Sequence, residues 1–264
     1  MHTFHVDETG RSGNTTFFYM GGLVADENQF IAGTKGVAAI RDKYGYRDTD
    51  LFKFTSNSRP DHLAVGDWTA SKAEALELID NLGIKLMVTM VHHKIAQPLQ
   101  RNKGVTWNME NLFRHFAKTF LRENPGAVCL DRIDEHWGHT ELEKIAQSQI
   151  EYGEKLIGIP EIIHYSFTSA RFSKFNSLVD IALGSFHRCC ENAFQEDDQR
   201  RSDTTKKLLE RVYPFLAKDP SRGVAKGYGV YPQPLKVGPA YRGDYAKVFD
   251  YLTAHLPDEN SDRQ

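Results

Sequence analysis

Four acidic residues stand where their carboxylates could serve one site. Asp7 and Glu8 follow a short β-prone run, Asp131 directly follows the apolar run AVCL, and Asp180 lies within a helical stretch. Hard cations such as Mg²⁺ and Mn²⁺ prefer oxygen ligands, and two of them held about 3.5–4 Å apart can stabilise both the attacking and the leaving oxygen of a phosphodiester displacement. Such a site needs three or four carboxylates from distant parts of the chain, and these four are the candidates.

Each of these acids also has a purely structural interpretation. Asp7 and Glu8 have the residue types of a turn, and Asp131 has that of a loop-entry or capping residue. Consecutive strand side chains point to opposite faces, so Asp7 and Glu8 reach one site only if the strand ends or bulges there. Asp180 has apolar neighbours, which favours a buried carboxylate with a partner or a metal. The alternative for Asp180 is an exposed helical face shared with Gly184, His187 and Glu191.

The elements that must position the acids follow a mixed α/β pattern. Thr3–Val6 and Thr16–Ala25 predict a hairpin, with a bulge or a close backbone approach at the pair Gly21-Gly22. Leu51–Phe54 predicts a third strand, and strands then alternate with helices, which together predict a mixed sheet covered by helices. If the strands that end at Asp7 and Asp131 are parallel neighbours, their carboxyl ends converge at an edge where α/β sheets tend to bind ligands. Later elements include a helix near Glu141–Gly153 and a loop over Asp219–Gly243.

The composition is that of an ordinary globular chain. It has 264 residues, of which 40% are hydrophobic and 26% charged, so we expect one large domain or one domain with an appendage. Three cysteines, two of them adjacent (Cys189 and Cys190), cannot form a disulfide framework and fit a reducing compartment. No apolar run is long enough for a membrane span, and the N-terminus lacks the features of a signal peptide, so we expect a cytoplasmic protein without a membrane partner.

The net charge of −2 hides a basic segment. Residues 200–247 carry 11 Lys and Arg against 4 Asp and Glu, whereas the residues before and after them are acidic. We therefore divide the chain into an α/β domain over 1–199 and a basic C-terminal helical and loop extension, rich in Tyr, Gly and Pro, over 200–264. Basic side chains neutralise phosphates and tyrosines stack on unpaired bases, which predicts nucleic-acid contact there. The candidates are Lys206, Lys207, Arg211, Arg222, Lys226, Tyr228 and Tyr231; the alternative is an ordinary loop and helix on the domain surface.

Three short motifs resemble those of the domain of unknown function 3800 family of bacteria and phages. FHVDETG followed by FFYMGGLVA resembles its Asp-Glu-Ser-Gly strand end and glycine-containing second strand, with Thr9 in place of Ser. AVCLDRID resembles a later strand ending in Asp, and SLVDIALGSFHR resembles its final helix. The resemblance implies a ribonuclease H-like fold, with Asp7, Asp131 and Asp180 as metal ligands and Glu8 as a variable fourth. It also aligns Lys53, in LFKF, with a position that is often polar or basic.

The hypothesis that combines these observations is a Mg²⁺- or Mn²⁺-dependent nuclease acting on RNA or DNA, with Lys53 contributing charge stabilisation. The first alternative is a catalytically silent subunit that binds nucleic acid or a protein partner, for example in a phage-defence assembly. The second is a metal-dependent phosphohydrolase that acts on small nucleotides.

Overall fold

The computed structural model describes residues 1–10, 15–96, 101–122, 124–131, 135–152, 154–194 and 199–254. The strands in these ranges are β1 (His2–Thr9), β2 (Phe17–Asp26), β3 (Lys85–His92), β4 (Gly126–Asp131), β5 (Ile150–Tyr152), β6 (Lys155–Ile157), β7 (Ile162–Thr168) and β8 (Val230–Gln233). The helices are α1 (Glu27–Lys43), α2 (Val65–Asn81), α3 (His93–Ala96), α4 (Arg101–Phe120), α5 (Glu135–Ala146), α6 (Phe175–Asn192), α7 (Gln199–Val212) and α8 (Pro239–Ala254). The last ten residues of the predicted extension, 255–264, lie outside the described ranges.

Six strands form one mixed sheet in the order β7-β4-β1-β2-β3-β8. β2 is antiparallel to its neighbours β1 and β3, whereas β1 with β4, β4 with β7 and β3 with β8 are parallel pairs. All the strands of this sheet except β2 therefore run in one direction, and their carboxyl ends share one edge. The predicted hairpin and the predicted mixed sheet are both confirmed.

The hairpin depends on a close approach of two backbones at Gly22. A Cβ atom at this position would collide with the carbonyl group of His5 on β1. The β1–β2 pairing runs without a register shift from His2 opposite Asp26 to Thr9 opposite Tyr19. Of the two alternatives for the glycine pair, the close approach is therefore correct and the bulge is wrong.

Helices cover both faces of the sheet. One core joins α1, α2, α6, α7 and α8 to the sheet face that carries Tyr19 and Leu23. The other core joins α4 and α5 to the opposite face, which carries Phe4 and Val6. Helix α6 contacts β1, β2, β3 and four other helices, so most of its surface is buried. None of the helices in the described ranges combines the length and the apolar composition that crossing a membrane requires.

The predicted third strand at Leu51–Phe54 is wrong. Both edges of β2 are already paired, with β1 and β3, so no partner remains for this segment in the hairpin. It lies in the connection between α1 and α2, and Phe52 is buried against Tyr46 at a ring separation of 5.0 Å. The helix expected near Glu141–Gly153 ends at Ala146 and is followed by β5, so this prediction is correct only in its first part.

The C-terminal segment continues the same architecture. β8 pairs with β3 and makes the sixth strand, and α8 packs against α6. The buried hydroxyl of Tyr245 on α8 donates to the carbonyl of Gln233 at 2.6 Å and accepts from the backbone N–H of His92 at 2.9 Å. The expected loop over 219–243 therefore contains a strand and the start of a helix, while the division of the chain after residue 199 stays a prediction.

Candidate active site

A cavity of about 470 Å³ opens at the sheet edge where β1 ends. Its walls come from the end of β1, from Phe54 and Thr55 in the α1–α2 connection, and from one side of α6. Four acidic residues line it: Asp7, Glu8, Asp180 and Glu191. Three of the four predicted acids therefore line one cavity.

The fourth, Asp131, lies on the neighbouring strand. β1 and β4 are parallel, and their paired residues run from His2 opposite Gly126 to Val6 opposite Leu130. The next residue on each strand is Asp7 and Asp131, and adjacent strands lie about 4.8 Å apart. The expected parallel adjacency of these two strand ends is confirmed, and Asp131 is the last residue of β4.

Strand alternation separates Glu8 from Asp7. β1 continues to Thr9, so the strand neither ends nor bulges at Asp7, and the interpretation of Asp7 and Glu8 as turn residues is wrong. Phe4 and Val6 face the α4 side of the sheet, and alternation places the Glu8 side chain on that same side. Asp7 and Thr9 alternate to the α6 side, where Thr9 Oγ1 lies 3.2 Å from His187 Nδ1. Glu8 is therefore at the rim of the site rather than beside the other three acids.

Asp180 is largely buried, with 17% of its side chain exposed. Its Oδ2 accepts a hydrogen bond from the backbone N–H of Phe54 at 2.6 Å, and its Oδ1 lies 3.7 Å from Lys53 Nζ. Burial raises the pKa of Asp180 and the charge of Asp131 raises it further, while the Phe54 N–H and the Lys53 ammonium oppose the rise.

Two lysines approach this acid, and only one was predicted. Lys53 lies beside Asp180, as its proposed role requires. Lys72 on α2 donates to the carbonyl of Phe54 at 3.2 Å, and its Nζ lies 3.1 Å from the centroid of the Trp68 ring. Burial lowers the pKa of Lys72 to about 8, and the charge of Asp180 opposes this shift. Nothing in the local sequence of α2 separates Lys72 from any other helix lysine, because its position depends on packing against the α1–α2 connection.

The remaining wall of the cavity is the α6 face that carries Asp180, Gly184, His187 and Glu191. The alternative interpretation of these residues was an exposed helical face. It is wrong, because this face lines the cavity. Glu191 accepts from the backbone N–H of Thr16 and from the hydroxyl of Tyr19, both at 3.2 Å, and burial raises its pKa. Burial also lowers the pKa of His187 to about 4, so this imidazole is neutral near pH 7. In the sequence, the helical spacing of these residues indicates that they share one face of the helix.

The donor chemistry of the site suits a hard divalent cation. Asp7, Asp131 and Asp180 present carboxylates of like charge near one another, and a cation would offset that charge. In the described ranges, however, no three His, Cys, Asp or Glu side chains stand ready as a metal-binding group. The residues therefore fit such a cation in the chemical type of their ligand atoms.

The predicted nucleic-acid contacts lie outside this cavity and differ in their surroundings. Tyr231 is only 3% exposed and its ring stacks on His115 at 3.5 Å, so base stacking on Tyr231 is wrong. Arg211 is paired with Glu77 at 2.6 Å and Arg222 with Asp219 at 2.9 Å. Of the other candidates, Tyr228 is half-buried, and the exposed side chains are Lys206, Lys207 and Lys226.

No family model and no curated protein matches the chain. The resemblance to the domain of unknown function 3800 family therefore stays a prediction. Among solved structures, the chain is similar to the crystal structure of Bst-RNase HIII in complex with Mn²⁺, with a TM-score of 0.44 and 8% sequence identity. The similarity covers 80% of this chain and 61% of that chain, which is less than two thirds of the other protein's length.

The sheet itself defines the class of fold. The central strands follow the order β7-β4-β1-β2-β3, only β2 is antiparallel among them, and helices cover both faces. This is a ribonuclease H-like α/β fold, and the predicted fold class is confirmed.

Proposed function

We propose that the chain is a divalent-metal-dependent nuclease that hydrolyses phosphodiester bonds in nucleic acid. The observation that supports this function is the location of Asp7, Asp131 and Asp180. Asp7 and Asp180 line one cavity, and Asp131 follows Leu130, the β4 residue that pairs with Val6, at the same carboxyl edge of the sheet.

Each residue of the site has a defined task in this proposal. Asp7, Asp131 and Asp180 would hold Mg²⁺ or Mn²⁺, and Glu8 would contribute from the rim. A cation held there would supply Lewis-acid polarisation of a phosphate oxygen and a water molecule of lowered pKa. Lys53 Nζ, at 3.7 Å from Asp180, supplies positive charge beside the position of the scissile phosphate. Phe54 orients the Asp180 carboxylate through its backbone N–H.

The test is cleavage of labelled RNA and DNA oligonucleotides, single-stranded and duplex, with Mg²⁺ or Mn²⁺. Asp180→Asn keeps the acceptor for the Phe54 N–H but removes the charge, so we expect its activity to fall by at least about 100-fold, more than the loss typical of a residue that only supports a ligand. Asp250→Asn, at an exposed position of α8, is the matched control and should cleave like the wild type. Equal cleavage by all three proteins, or none by the wild type, would contradict the proposal.

A second measurement reports on the metal without turnover. Mn²⁺ should raise the Tm of the wild type and of Asp250→Asn, because a ligand that binds only the folded state stabilises it. Asp180→Asn should lose most of this shift. An equal Mn²⁺ shift in all three proteins would show that the cation binds elsewhere.

One observation favours the catalytically silent binding subunit as the second candidate. Asp180 is engaged by Lys53 and by Phe54, and the described residues contain no ready-made group of three metal ligands. This alternative predicts salt-dependent binding of nucleic acid that survives Asp180→Asn, with no cleavage by either protein. The small-nucleotide phosphohydrolase would instead consume nucleoside phosphates in the same reaction mixtures.

A further inference from the structure

A second cavity, of about 520 Å³, lies between β8 and α8. Three cations line it, Lys226, Lys236 and Arg242, together with an apolar surface that includes Leu235 and Phe249. We call it the basic cavity. Leu235 is 65% exposed, so an apolar side chain is open to a ligand beside the three cations.

The charges of the basic cavity are available to an anion. No acidic residue lines it within the described part of the chain, and none of the three cations forms an ion pair there. Lys226 Nζ lies 4.5 Å from the centroid of the Phe249 ring, and Arg242 uses only its Nε, which donates to the carbonyl of Val237 at 3.0 Å. Its terminal guanidinium nitrogens keep their donors for a phosphate.

We call the cavity lined by Asp7, Glu8, Asp180 and Glu191 the carboxylate cavity, and the sheet register relates the basic cavity to it. Asp7, Gly21, Val88 and Val230 form one row across β1, β2, β3 and β8. Three strand spacings of about 4.8 Å separate the ends of this row by about 14 Å. β1, β3 and β8 run in the same direction, so both cavities lie toward the carboxyl edge of the sheet.

A further exposed cation on α8 follows Ala246, which lines the basic cavity. Lys247 is exposed on α8, and its Nζ lies 5.8 Å from the ring centroid of Phe194. Phe194 follows Glu191, which lines the carboxylate cavity, by three residues. Lys247 therefore adds positive charge near residues that neighbour both cavities in the chain.

We propose that the basic cavity binds a single-stranded segment of nucleic acid whose neighbouring nucleotides occupy the carboxylate cavity. Lys226, Lys236 and Arg242 contact the phosphates, and a base packs on Leu235. A single strand fits because its unpaired bases can reach an apolar surface, whereas duplex bases are stacked inside the helix. This inference rests on the proposed nuclease function and adds the position and the strandedness of the bound chain.

The test is the affinity for a fluorescent single strand of about 12 nucleotides, within the usual range of single-strand sites, measured in EDTA so that no cleavage occurs. Lys236→Ala/Arg242→Ala should weaken binding by at least about 10-fold and reduce the slope of log K against log salt by about 1.4, the value for two phosphate contacts on a single strand. Lys35→Ala/Lys155→Ala removes the same charge from exposed positions of α1 and β6 and is the matched control, expected to change affinity less than about twofold.

A third variant, Leu235→Ala, tests the apolar contact and should weaken single-strand binding while leaving the salt slope unchanged, because it removes no charge. Equal effects of the two double variants, tighter binding of a duplex of the same length, or no binding by the wild type would each overturn the inference. Failure of the nuclease proposal looks different, because single-strand binding would still depend on Lys236 and Arg242 while Mg²⁺ and Mn²⁺ supported no cleavage.

Discussion

Replacing Gly184 with alanine tests whether the packing of α6 against Phe54 controls the acid at the centre of the site. Gly184 lies one helical turn after Asp180, on the face that lines the cavity. A Cβ atom there would lie 2.5 Å from Cγ and 2.7 Å from Cβ of Phe54. Ordinary carbon contacts are about 3.5–4.0 Å, so Phe54 must move by about 1 Å to admit the methyl group.

Two opposing terms set the stability of Gly184→Ala. Overpacking lowers the free energy of unfolding by about 1–3 kcal/mol, and the better helix propensity of alanine raises it by about 1 kcal/mol. Gly243→Ala on α8 makes the same chemical change where a Cβ atom would have nothing within 4 Å, so only the propensity gain applies. The free energies of unfolding of the two variants, measured in urea, should therefore differ by about 1–3 kcal/mol.

The same movement changes the chemistry of Asp180. The hydrogen bond from the Phe54 N–H, 2.6 Å long, lowers the pKa of this carboxyl, so its loss raises that pKa. The carboxyl must be ionised to hold a cation, and the rising limb of the pH–rate profile should therefore move to higher pH in Gly184→Ala but not in Gly243→Ala. Equal stabilisation of both variants with unchanged pH profiles would refute this coupling between helix packing and the acid.

Two further predictions concern the scaffold. Burial lowers the pKa of His5 to about 4, so the unfolded chain binds a proton below about pH 6.5 that the folded chain resists, and stability falls as the pH decreases from there toward about 4. His5 alone should remove about 2 kcal/mol from the free energy of unfolding between about pH 7 and about pH 5, and urea unfolding of His5→Gln should lack this part of the decrease. Tyr245→Phe leaves the Gln233 carbonyl and the His92 N–H without the buried hydroxyl that joins them. We therefore expect the free energy of unfolding to fall by about 1–3 kcal/mol and hydrogen exchange in α8 and β8 to become faster. Unchanged exchange would show that this hydroxyl does not anchor the extension.

The acids were predictable because their signal is local. A β-prone run that ends in an acid, and an acid flanked by apolar residues in a helix, are visible in a few consecutive residues. The parallel pairing that brings Asp7 beside Asp131 was an explicit condition of that prediction, and it is met. The face of the sheet toward which Glu8 points was not predictable, because it depends on whether β1 ends at Asp7. In the structure β1 continues to Thr9.

The sequence predictions are wrong for segments whose structure depends on packing against residues far away in the chain. Leu51–Phe54 has β-prone residues but no free strand edge to pair with. β8 was missed for the opposite reason, since Pro232 lies within it and proline normally argues against a strand. An edge strand tolerates proline, and β8 is paired on one side only, with β3. Its alternation buries Tyr231, which the basic and aromatic pattern alone had suggested as a surface residue.

The net charge of −2 combines two groups of opposite charge at one edge of the sheet. Five carboxylates at this edge repel a phosphate and outnumber the three cations Lys53, Lys72 and Arg188; they belong to Asp7, Glu8, Asp131, Asp180 and Glu191. A polyanion can approach that edge only if cations bind the acids or if neighbouring positive charge holds it there. The basic cavity, at the same carboxyl edge of the sheet, supplies the second condition, and a divalent cation supplies the first. The proposed nuclease needs both, whereas a silent binding subunit needs the basic cavity alone, so the response to metal separates the two functions.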